Sequence, residues 1–388
     1  MSNGYRLRGK VRHYAWGGTD FIPDLLGIDR TNQPWAELWL GAHPQDSAEV
    51  LVENQWQRLD QLIAKAPNQW LGQAAAESFG ELPYLLKVLD VANPLSIQVH
   101  PNMAQAKFGY AQENADGIAL TDPKRNFKDE NHKPELALAL SDFWLLYGLR
   151  TRDDIVQRLN AFHSLHELSS TLLNYGEMAL LETVFLADEK RLNQWLGPVF
   201  DAVNPASDPN SPDYWISSWR DQHANMEDAA DVGVLAFLLM NLVKLEPGES
   251  IYQEAGVPHA YLRGQCVEVM ANSDNVLRAG LTAKHVDAEL MLKHLDLSRC
   301  REQCTAPPNN LQEFKLRRYG KGTTDLEVCE ATITLRFTPH EKLGKPHLQL
   351  KETQFFAEAA HVSVRVGEGE FLIGASPNHQ TARKSDPN

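Results

Sequence analysis

Residues 252–287 read YQEAGVPHAYLRGQCVEVMANSDNVLRAGLTAKHVD, and the predicted fold is organised around them. The stretch mixes strand-like apolar residues with two glycine-marked turns, a histidine after a proline, an SDN triplet and a well-spaced arginine and lysine. Neither the two-residue period of a strand nor the 3.6-residue period of a helix requires that mixture. We therefore expect a functional site here, to which other segments of the chain contribute.

The composition is that of a soluble globular protein with room for more than one domain. Of its 388 residues, 43% are hydrophobic and 23% are charged, so two or three domains are expected. The formal net charge of −14 argues against a nucleic-acid binder and against a binder of anionic membranes, because both need a basic surface. A small anionic ligand held by a local basic cluster is compatible with this charge.

The amino terminus and the cysteines predict a cytoplasmic protein. The first residues, MSNGYRLRGK, are polar and lack the apolar core of a signal peptide. The longest apolar run, 232–245, is too short to span a bilayer. Neither a zinc-finger spacing nor a dense disulfide framework fits the four cysteines, which are Cys266, Cys300, Cys304 and Cys329. Reduced thiols, as in cytoplasmic proteins, are expected.

The order of sequence patterns predicts a mainly β chain with a helical insertion. Short strand patterns between Gly, Pro, Asn and Asp clusters fill residues 1–150 and return at 242–300. Residues 151–241 instead carry apolar residues at spacings of three and four, which is typical of amphipathic helices. A further β region is predicted at 301–388. Two β regions separated by helices indicate two barrels of similar type.

Four residues of the β regions form a candidate metal site. Gln98 and His100 are two apart in a predicted strand and leave the same face. Glu135 enters the apolar strand LALAL, where a carboxylate is costly unless it is paired or bound to a metal. His259 follows the rigid turn GVP. Each residue alone is better explained as an ordinary structural residue, but together their two nitrogens and two oxygens suit zinc or another borderline divalent ion.

The chain resembles the type I mannose-6-phosphate isomerases, a family of the cupin superfamily. The resemblance rests on five blocks in family order: HYAWGG at 13–18, AELWLGAHP at 36–44, LPYLLKVL with PLSIQVHP at 82–101, NHKPELALAL at 131–140, and 252–287. It implies two cupin-type jelly-roll barrels, the first of them catalytic and built from 1–150 with 242–300. It also implies one Zn²⁺, held by the ligands Gln98, His100, Glu135 and His259.

The resemblance further implies the reaction and the residues around its substrate. The family interconverts mannose 6-phosphate and fructose 6-phosphate by moving a proton between C1 and C2, through an enediolate. The substrate-binding residues implied are Ser96, Lys87, Tyr261 and Lys284. The catalytic residues implied are Arg278, Lys133, His132, Asp274 and Glu268. Among the last four of these, the group that moves the proton stays open.

Two other functions fit parts of the pattern. Another metal-dependent cupin enzyme, such as an iron dioxygenase, uses two histidines and one carboxylate but does not need four basic residues near the metal. A non-catalytic sugar-phosphate-binding cupin is expected to have lost a metal ligand or part of the basic set. The chain departs from the family at Ala283, where proline is usual, and the resemblance fades after about residue 300.

Overall fold

A computed structural model of the chain describes residues 4–205, 207–223, 230–300, 305–342, 345–357 and 360–378. Within these ranges the chain forms nineteen β-strands and eleven α-helices. The predicted class, mainly β with helices, is confirmed. No helix in the described ranges is long and apolar enough to cross a membrane. No disulfide joins the described cysteines, and Cys304 lies outside the described residues.

The strands follow one another in two groups, separated by helices. Those before the long helical segment are β1 (Tyr5–Arg8), β2 (Lys10–Arg12), β3 (Glu37–Gly41), β4 (Glu49–Val52), β5 (Gln55–Arg58), β6 (Tyr84–Val91), β7 (Ile97–Val99), β8 (Glu135–Ala139) and β9 (Phe143–Leu149). Those after it are β10 (Met240–Leu245), β11 (Ser250–Gln253), β12 (His259–Ala271), β13 (Leu277–Gly280), β14 (Lys315–Tyr319), β15 (Gly322–Val328), β16 (Thr332–Lys342), β17 (Lys345–Phe356), β18 (Ala360–Val366) and β19 (Phe371–Ser376).

Six of the helices form the segment between β9 and β10. In chain order the helices are α1 (Phe21–Leu26), α2 (Leu59–Lys65), α3 (Pro67–Ser78), α4 (Met103–Ala115), α5 (Arg152–Asn160), α6 (His166–Tyr175), α7 (Glu177–Phe185), α8 (Glu189–Ala202), α9 (Pro212–Gln222), α10 (Gly233–Leu239) and α11 (Ala288–His294). Several begin at side-chain caps, such as Thr151 before α5 and Asp188 before α8. These caps bond backbone N–H groups that the first helical turn leaves without partners.

The apolar pattern at 155–172 predicts one amphipathic helix, but the structure has two. Helix α5 ends before Phe162, whose backbone is extended (φ −121°, ψ 118°), and α6 begins at His166. Ile155, Leu159 and Leu168 nevertheless all lie in one core cluster. Spacing could not reveal the break because the chain returns the same face to the core after it.

Two antiparallel sheets hold most of the strands. The ten-stranded sheet contains the path β10-β9-β12-β6-β3-β2, with β7, β8, β11 and β13 attached beside it. The seven-stranded sheet runs β14-β19-β16-β17-β1-β4-β5, and β15 pairs with β18. Hydrogen bonds thus join the first sixty residues to the C-terminal region. The three domains expected from the sequence, and the number of jelly-roll barrels, stay predictions.

Candidate metal and substrate site

Strand β12 brings the expected site residues together because it pairs with β6, β7, β8 and β9. Its first residue, His259, lies opposite Gln98 of β7. Gln98 lies in turn opposite Arg278 of β13. Farther along β12, Glu268 lies opposite Lys87 of β6. One long strand therefore aligns residues from distant parts of the sequence along a common surface.

A β-bulge allows both ends of β12 to face the same cavity. Tyr261 and Glu268 are seven residues apart, which in a regular strand would place them on opposite faces. The pairing with β9 shifts between Tyr261 and Arg263, and Arg263 lies opposite Trp144, so Leu262 is an extra residue in β12. One extra residue reverses the alternation of faces. Tyr261 and Glu268 consequently line one cavity.

His100, Glu135 and His259 form a buried cluster of possible metal ligands. Their ligand atoms all lie within 4.8 Å of one another. Glu135 Oε2 is 3.5 Å from His100 Nε2 and 3.4 Å from His259 Nε2. None of the three residues is more than 4% exposed. Three potential ligands therefore converge at a largely buried point.

Hydrogen bonds to backbone carbonyls fix the tautomer of both imidazoles. His100 Nδ1 lies 2.9 Å from the carbonyl oxygen of Asn275, and His259 Nδ1 lies 3.1 Å from that of Val257. Because a carbonyl only accepts, each Nδ1 carries a hydrogen, so the tautomer of each neutral imidazole is the one whose Nε2 presents a lone pair. His100 Nε2 is buried without a hydrogen-bond partner. Two lone pairs and a carboxylate oxygen therefore face one point, which fits a divalent cation.

The protonation states of the cluster are also those that bind metal. Burial lowers the pKa of His100 to about 4, so its imidazole is neutral at pH 7. Burial favours protonation of Glu135, but its charged and hydrogen-bonding neighbours, of which Lys133 has the largest effect, outweigh burial and hold the pKa of Glu135 well below its usual range. Lys133 Nζ lies 3.0 Å from Glu135 Oε1, the oxygen that faces away from the imidazoles. A neutral imidazole and an ionised carboxylate are ready to ligate.

The cluster borders a cavity of about 450 Å³. Ten of the thirteen expected site residues line it, namely Lys87, Ser96, Gln98, Lys133, Glu135, His259, Tyr261, Glu268, Arg278 and Lys284. His100 belongs to the cluster next to Glu135 and His259. The cavity is therefore the one place where nearly all the expected residues meet.

The four basic residues of the cavity differ in whether a carboxylate neutralises them. Lys87 Nζ lies 3.0 Å from Glu268 Oε2, and Lys133 pairs with Glu135. Arg278 and Lys284 have no carboxylate oxygen within 4.0 Å in the part of the chain that the structure describes. Burial lowers the pKa of Arg278, and burial together with Arg278 lowers that of Lys284. The half-buried Arg278 and the exposed Lys284 are thus cations whose charge an anionic ligand could neutralise.

A buried hydrogen-bond chain continues from the ion pair of Lys87 and Glu268. Tyr261 Oη donates to Glu268 Oε1 at 2.8 Å, and Gln253 Nε2 donates to Tyr261 Oη at 2.9 Å. Burial raises the pKa of Glu268, although Lys87 opposes that effect. Burial, followed by the charge of Glu268, raises the pKa of Tyr261. Glu268 thus sits in the cavity as a carboxyl group whose proton affinity is increased.

Two expected residues bond away from the cavity. His132 Nε2 lies 2.7 Å from Glu313 Oε1, in the segment before β14. Asp274 Oδ2 accepts from Gln45 Nε2 at 3.0 Å and lies 3.4 Å from His43 Nε2. Neither side chain lines the cavity. Both are neighbours of the site rather than part of its inner surface.

Several lining residues were missed from the sequence. Tyr14, Trp16, Glu37 and Trp39 contribute to the cavity wall. Trp39 Nε1 donates to Glu37 Oε2, and Lys87 Nζ lies 5.5 Å from the Trp39 ring centroid. The signal was available, since these residues belong to the blocks HYAWGG and AELWLGAHP. Aromatic residues at strand spacing, however, are equally typical of an ordinary core.

Comparison with known proteins agrees with this geometry. A family model described as phosphomannose isomerase type I, catalytic domain, matches residues 5–152. The mannose-6-phosphate isomerase of Salmonella typhimurium is 40% identical over 284 residues, 73% of this chain and 72% of that protein. The chain belongs to the type I phosphomannose isomerase family. The human mannose-6-phosphate isomerase is 31% identical over 370 residues, 88% of this chain and 84% of that protein.

Solved phosphomannose isomerases also share the fold. A crystal structure of mannose 6-phosphate isomerase with zinc bound has a TM-score of 0.84 and 32% identity, and covers 97% of this chain and 100% of that one. A lysine-to-alanine variant of the Salmonella typhimurium phosphomannose isomerase has a TM-score of 0.83 and 30% identity over the same shares. The predicted family and enzyme class of this chain are therefore confirmed.

Proposed function

We propose that this chain interconverts mannose 6-phosphate and fructose 6-phosphate in the cavity beside β12, with one Zn²⁺ per chain. Its partner is a small sugar phosphate, and the proton moves between C1 and C2 through an enediolate. The observation that carries the proposal is the arrangement of the buried ligand cluster next to two cations without carboxylate partners. The first suits a metal and the second suits a phosphate.

The phosphate of the substrate is assigned to Arg278 and Lys284. Both line the cavity, and the planar fork of Arg278 can donate two parallel hydrogen bonds to phosphate oxygens. Burial lowers the pKa of Arg278, and burial together with Arg278 lowers that of Lys284, so a phosphate bound between them would favour both charged forms. Ser96, which also lines the cavity, supplies a hydroxyl donor. This set anchors the end of the sugar that does not react.

The metal is assigned to His100, Glu135 and His259, with Gln98 as the fourth ligand. Two imidazole nitrogens and two oxygens are a donor set that zinc accepts. A bound zinc ion polarises the sugar oxygens and stabilises the negative charge that develops at C1 and C2. The protein orients the ligands through the Nδ1 hydrogen bonds of both histidines. Lys133 keeps Glu135 ionised.

The proton transfer is assigned to Glu268. The group must take a proton from one carbon and return it to the next, which is easiest when its pKa lies near the working pH. Glu268 lines the cavity, and burial raises its pKa toward that range. Lys133 also lines the cavity, but its ammonium is held by Glu135. His132 and Asp274 bond to other groups outside the lining.

The alternative functions explain fewer of these contacts. An iron dioxygenase would use the two histidines and the carboxylate but has no role for Arg278 and Lys284. A non-catalytic sugar-phosphate binder would use those cations but not a ligand cluster with an orphaned lone pair at His100 Nε2. Only an isomerase would use both the metal-ligand cluster and the two cations.

The test is a coupled assay that follows fructose 6-phosphate formed from mannose 6-phosphate, with and without a chelator. We expect the chelator to abolish turnover and added zinc to restore it. His259→Ala should lose bound zinc and turnover together, whereas the exposed His163→Ala should keep both. Glu268→Gln should keep zinc and lose turnover. A zinc-replete wild-type sample that does not convert mannose 6-phosphate would rule the proposal out.

A further inference from the structure

Asn275 is buried between the two segments that carry the metal ligands. Its exposed fraction is 0%, although it is a polar residue in the connection between β12 and β13. Its backbone carbonyl accepts the Nδ1 hydrogen of His100 at 2.9 Å. Its side chain meets the loop 128–131, which leads to Glu135. One residue therefore contacts one ligand directly and the approach to a second.

Both the oxygen and the nitrogen of the Asn275 side-chain amide form hydrogen bonds with the backbone of that loop. Its Oδ1 accepts from the backbone N–H of Lys128 at 2.6 Å and from that of Asp129 at 3.3 Å. Its Nδ2 donates to the carbonyl oxygens of Asp129 and Asn131, both at 2.8 Å. An amide has two donors and one acceptor oxygen, so no other side chain of this size can satisfy the same groups.

Asp129 of the loop also accepts hydrogen bonds from the turn that connects β12 and β13. Its Oδ2 accepts from the backbone N–H of Asp274 at 2.7 Å, and its Oδ1 accepts from Ser273 Oγ at 2.8 Å. The loop and the turn thus hold each other through reciprocal bonds. Such a closed network loses several bonds when one member is removed.

The same contact fixes where Glu135 enters the site. After the loop, the backbone N–H of Ala271 donates to the carbonyl oxygen of Pro134 at 3.0 Å, and Glu135 lies opposite Met270 of β12. Glu135 arrives 3.5 Å from His100 Nε2. The relative position of these two ligands, which come from segments far apart in sequence, depends on how the loop docks on the turn.

We propose that Asn275 is a positioning residue: it locks the orientation of His100 and the approach of Glu135, and thereby sets the affinity of the site for zinc. Asn275 does not itself reach the cavity. The inference rests on the proposed zinc site. Groups behind metal ligands typically change metal affinity about tenfold to a hundredfold when they are replaced.

The test measures zinc binding directly, by competition with a chromogenic chelator, in wild type, Asn275→Ala and Asn272→Ala. Asn272 lies in the same turn, but its side chain donates to Glu81 at 3.3 Å and forms no hydrogen bond with the loop 128–131 among the described residues, so it is a matched control. We expect Asn275→Ala to bind zinc about tenfold to a hundredfold more weakly and the control to bind as wild type does. In the metal-free protein, the imidazole Nδ1–H of His100 should exchange with solvent faster in Asn275→Ala, as seen by NMR.

The outcomes separate this inference from the proposed function. If wild type binds no zinc, the proposed function fails and the inference fails with it. If wild type and Asn272→Ala bind zinc and Asn275→Ala binds it equally tightly, with its Nδ1–H still protected, the positioning role alone is wrong. Should Asn275→Ala not fold, the isosteric Asn275→Asp removes the two donors and is expected to weaken zinc binding in the same way.

Discussion

At the scale of single residues, the site is defined by which charges have partners. Lys87 and Lys133 are neutralised by buried carboxylates, whereas Arg278 and Lys284 have no such partner among the described residues. Burying a cation without a counter-charge is unfavourable. In a chain with a net charge of −14, the half-buried Arg278 and the exposed Lys284 at the same cavity are best explained by an anionic ligand.

Replacing Arg278 should therefore remove phosphate recognition and leave the metal in place. We expect Arg278→Ala to lower kcat/KM for mannose 6-phosphate about tenfold to a hundredfold, the value of a lost charge-assisted hydrogen bond, and to weaken inhibition by inorganic phosphate. Zinc content should not change. Arg317→Ala, on the exposed side of β14, is the matched control. A fully active Arg278→Ala would contradict the assignment of the phosphate.

At the scale of elements, the site depends on the irregular geometry of β12. The bulge at Leu262 turns Glu268 toward the face that carries Tyr261. Two residues after Leu262, Gly264 has a φ of +119°, where residues with a side chain are strained. A Cβ at Gly264 would lie 2.3 Å from the carbonyl oxygen of Asp142 and 2.9 Å from Phe143 Cα. The bend of β12 therefore requires glycine at this position.

Gly264→Ala should destabilise the fold measurably. The strained φ alone costs about 1–3 kcal/mol, and the clash with the backbone of β9 and its preceding loop adds to that. Urea unfolding should show the loss, together with weaker zinc binding because β12 carries His259. Gly320→Ala is the control, since its added Cβ meets no atom within 4 Å. Equal stability of the two variants would show that the bend does not need glycine.

The strands also show which parts of the site could be predicted from the sequence. Gln98 and His100, Glu135 and His259 could be singled out because polar residues on buried strands need a partner or a metal. The bulge could not be predicted, because no period in residues 259–271 marks an extra residue. The hydrogen bond between His132 and Glu313 could not be predicted for a different reason. It joins segments far apart in sequence, and the resemblance fades before Glu313.

At the scale of the whole molecule, the two large sheets share one hydrophobic cluster. Residues of β6 and β12 pack in it with residues of β16, β17 and β19. Tyr84, at the start of β6, crosses between the sheets: its hydroxyl lies 2.8 Å from the carbonyl oxygen of Ala331 and 2.9 Å from that of Ala375, and it accepts from the backbone N–H of Ile333 at 3.1 Å. The sheet with the cavity is thus tied to the C-terminal strands.

Removing the Tyr84 hydroxyl should lower the free energy of unfolding and leave catalysis unchanged. Tyr84→Phe leaves buried backbone groups without their partner, which costs about 1–3 kcal/mol. We expect a lower midpoint in urea unfolding, with KM and zinc affinity as in wild type. Tyr175→Phe, at an exposed tyrosine, controls for the substitution. A change in KM without a change in stability would mean that Tyr84 acts on the site instead.

The contact between His132 and Glu313 gives stability a pH dependence at this scale. Burial raises the pKa of Glu313, but the hydrogen bond with His132 outweighs it and leaves the pKa below the usual value of 4.5. The unfolded chain therefore takes up the proton first as the pH falls, so the stabilisation is present above about pH 4.5 and is lost below it. The difference in unfolding free energy between wild type and Glu313→Gln should shrink over that range.

The control for this prediction is Glu182→Gln, which replaces an exposed carboxylate on α7. Its unfolding free energy should follow that of wild type at every pH. If the Glu313→Gln difference were constant between pH 7 and pH 3, the contact of the Glu313 carboxylate with His132 would contribute nothing to the pH dependence of stability.

The central claim is that the cluster of His100, Glu135 and His259 holds the zinc that the isomerisation requires. Its most direct test is to titrate zinc into metal-free protein and to measure turnover of mannose 6-phosphate at each step. We predict no turnover without metal, a linear rise with added zinc, and a plateau at one zinc per chain. Full turnover by the metal-free protein, or one bound zinc without turnover, would contradict it.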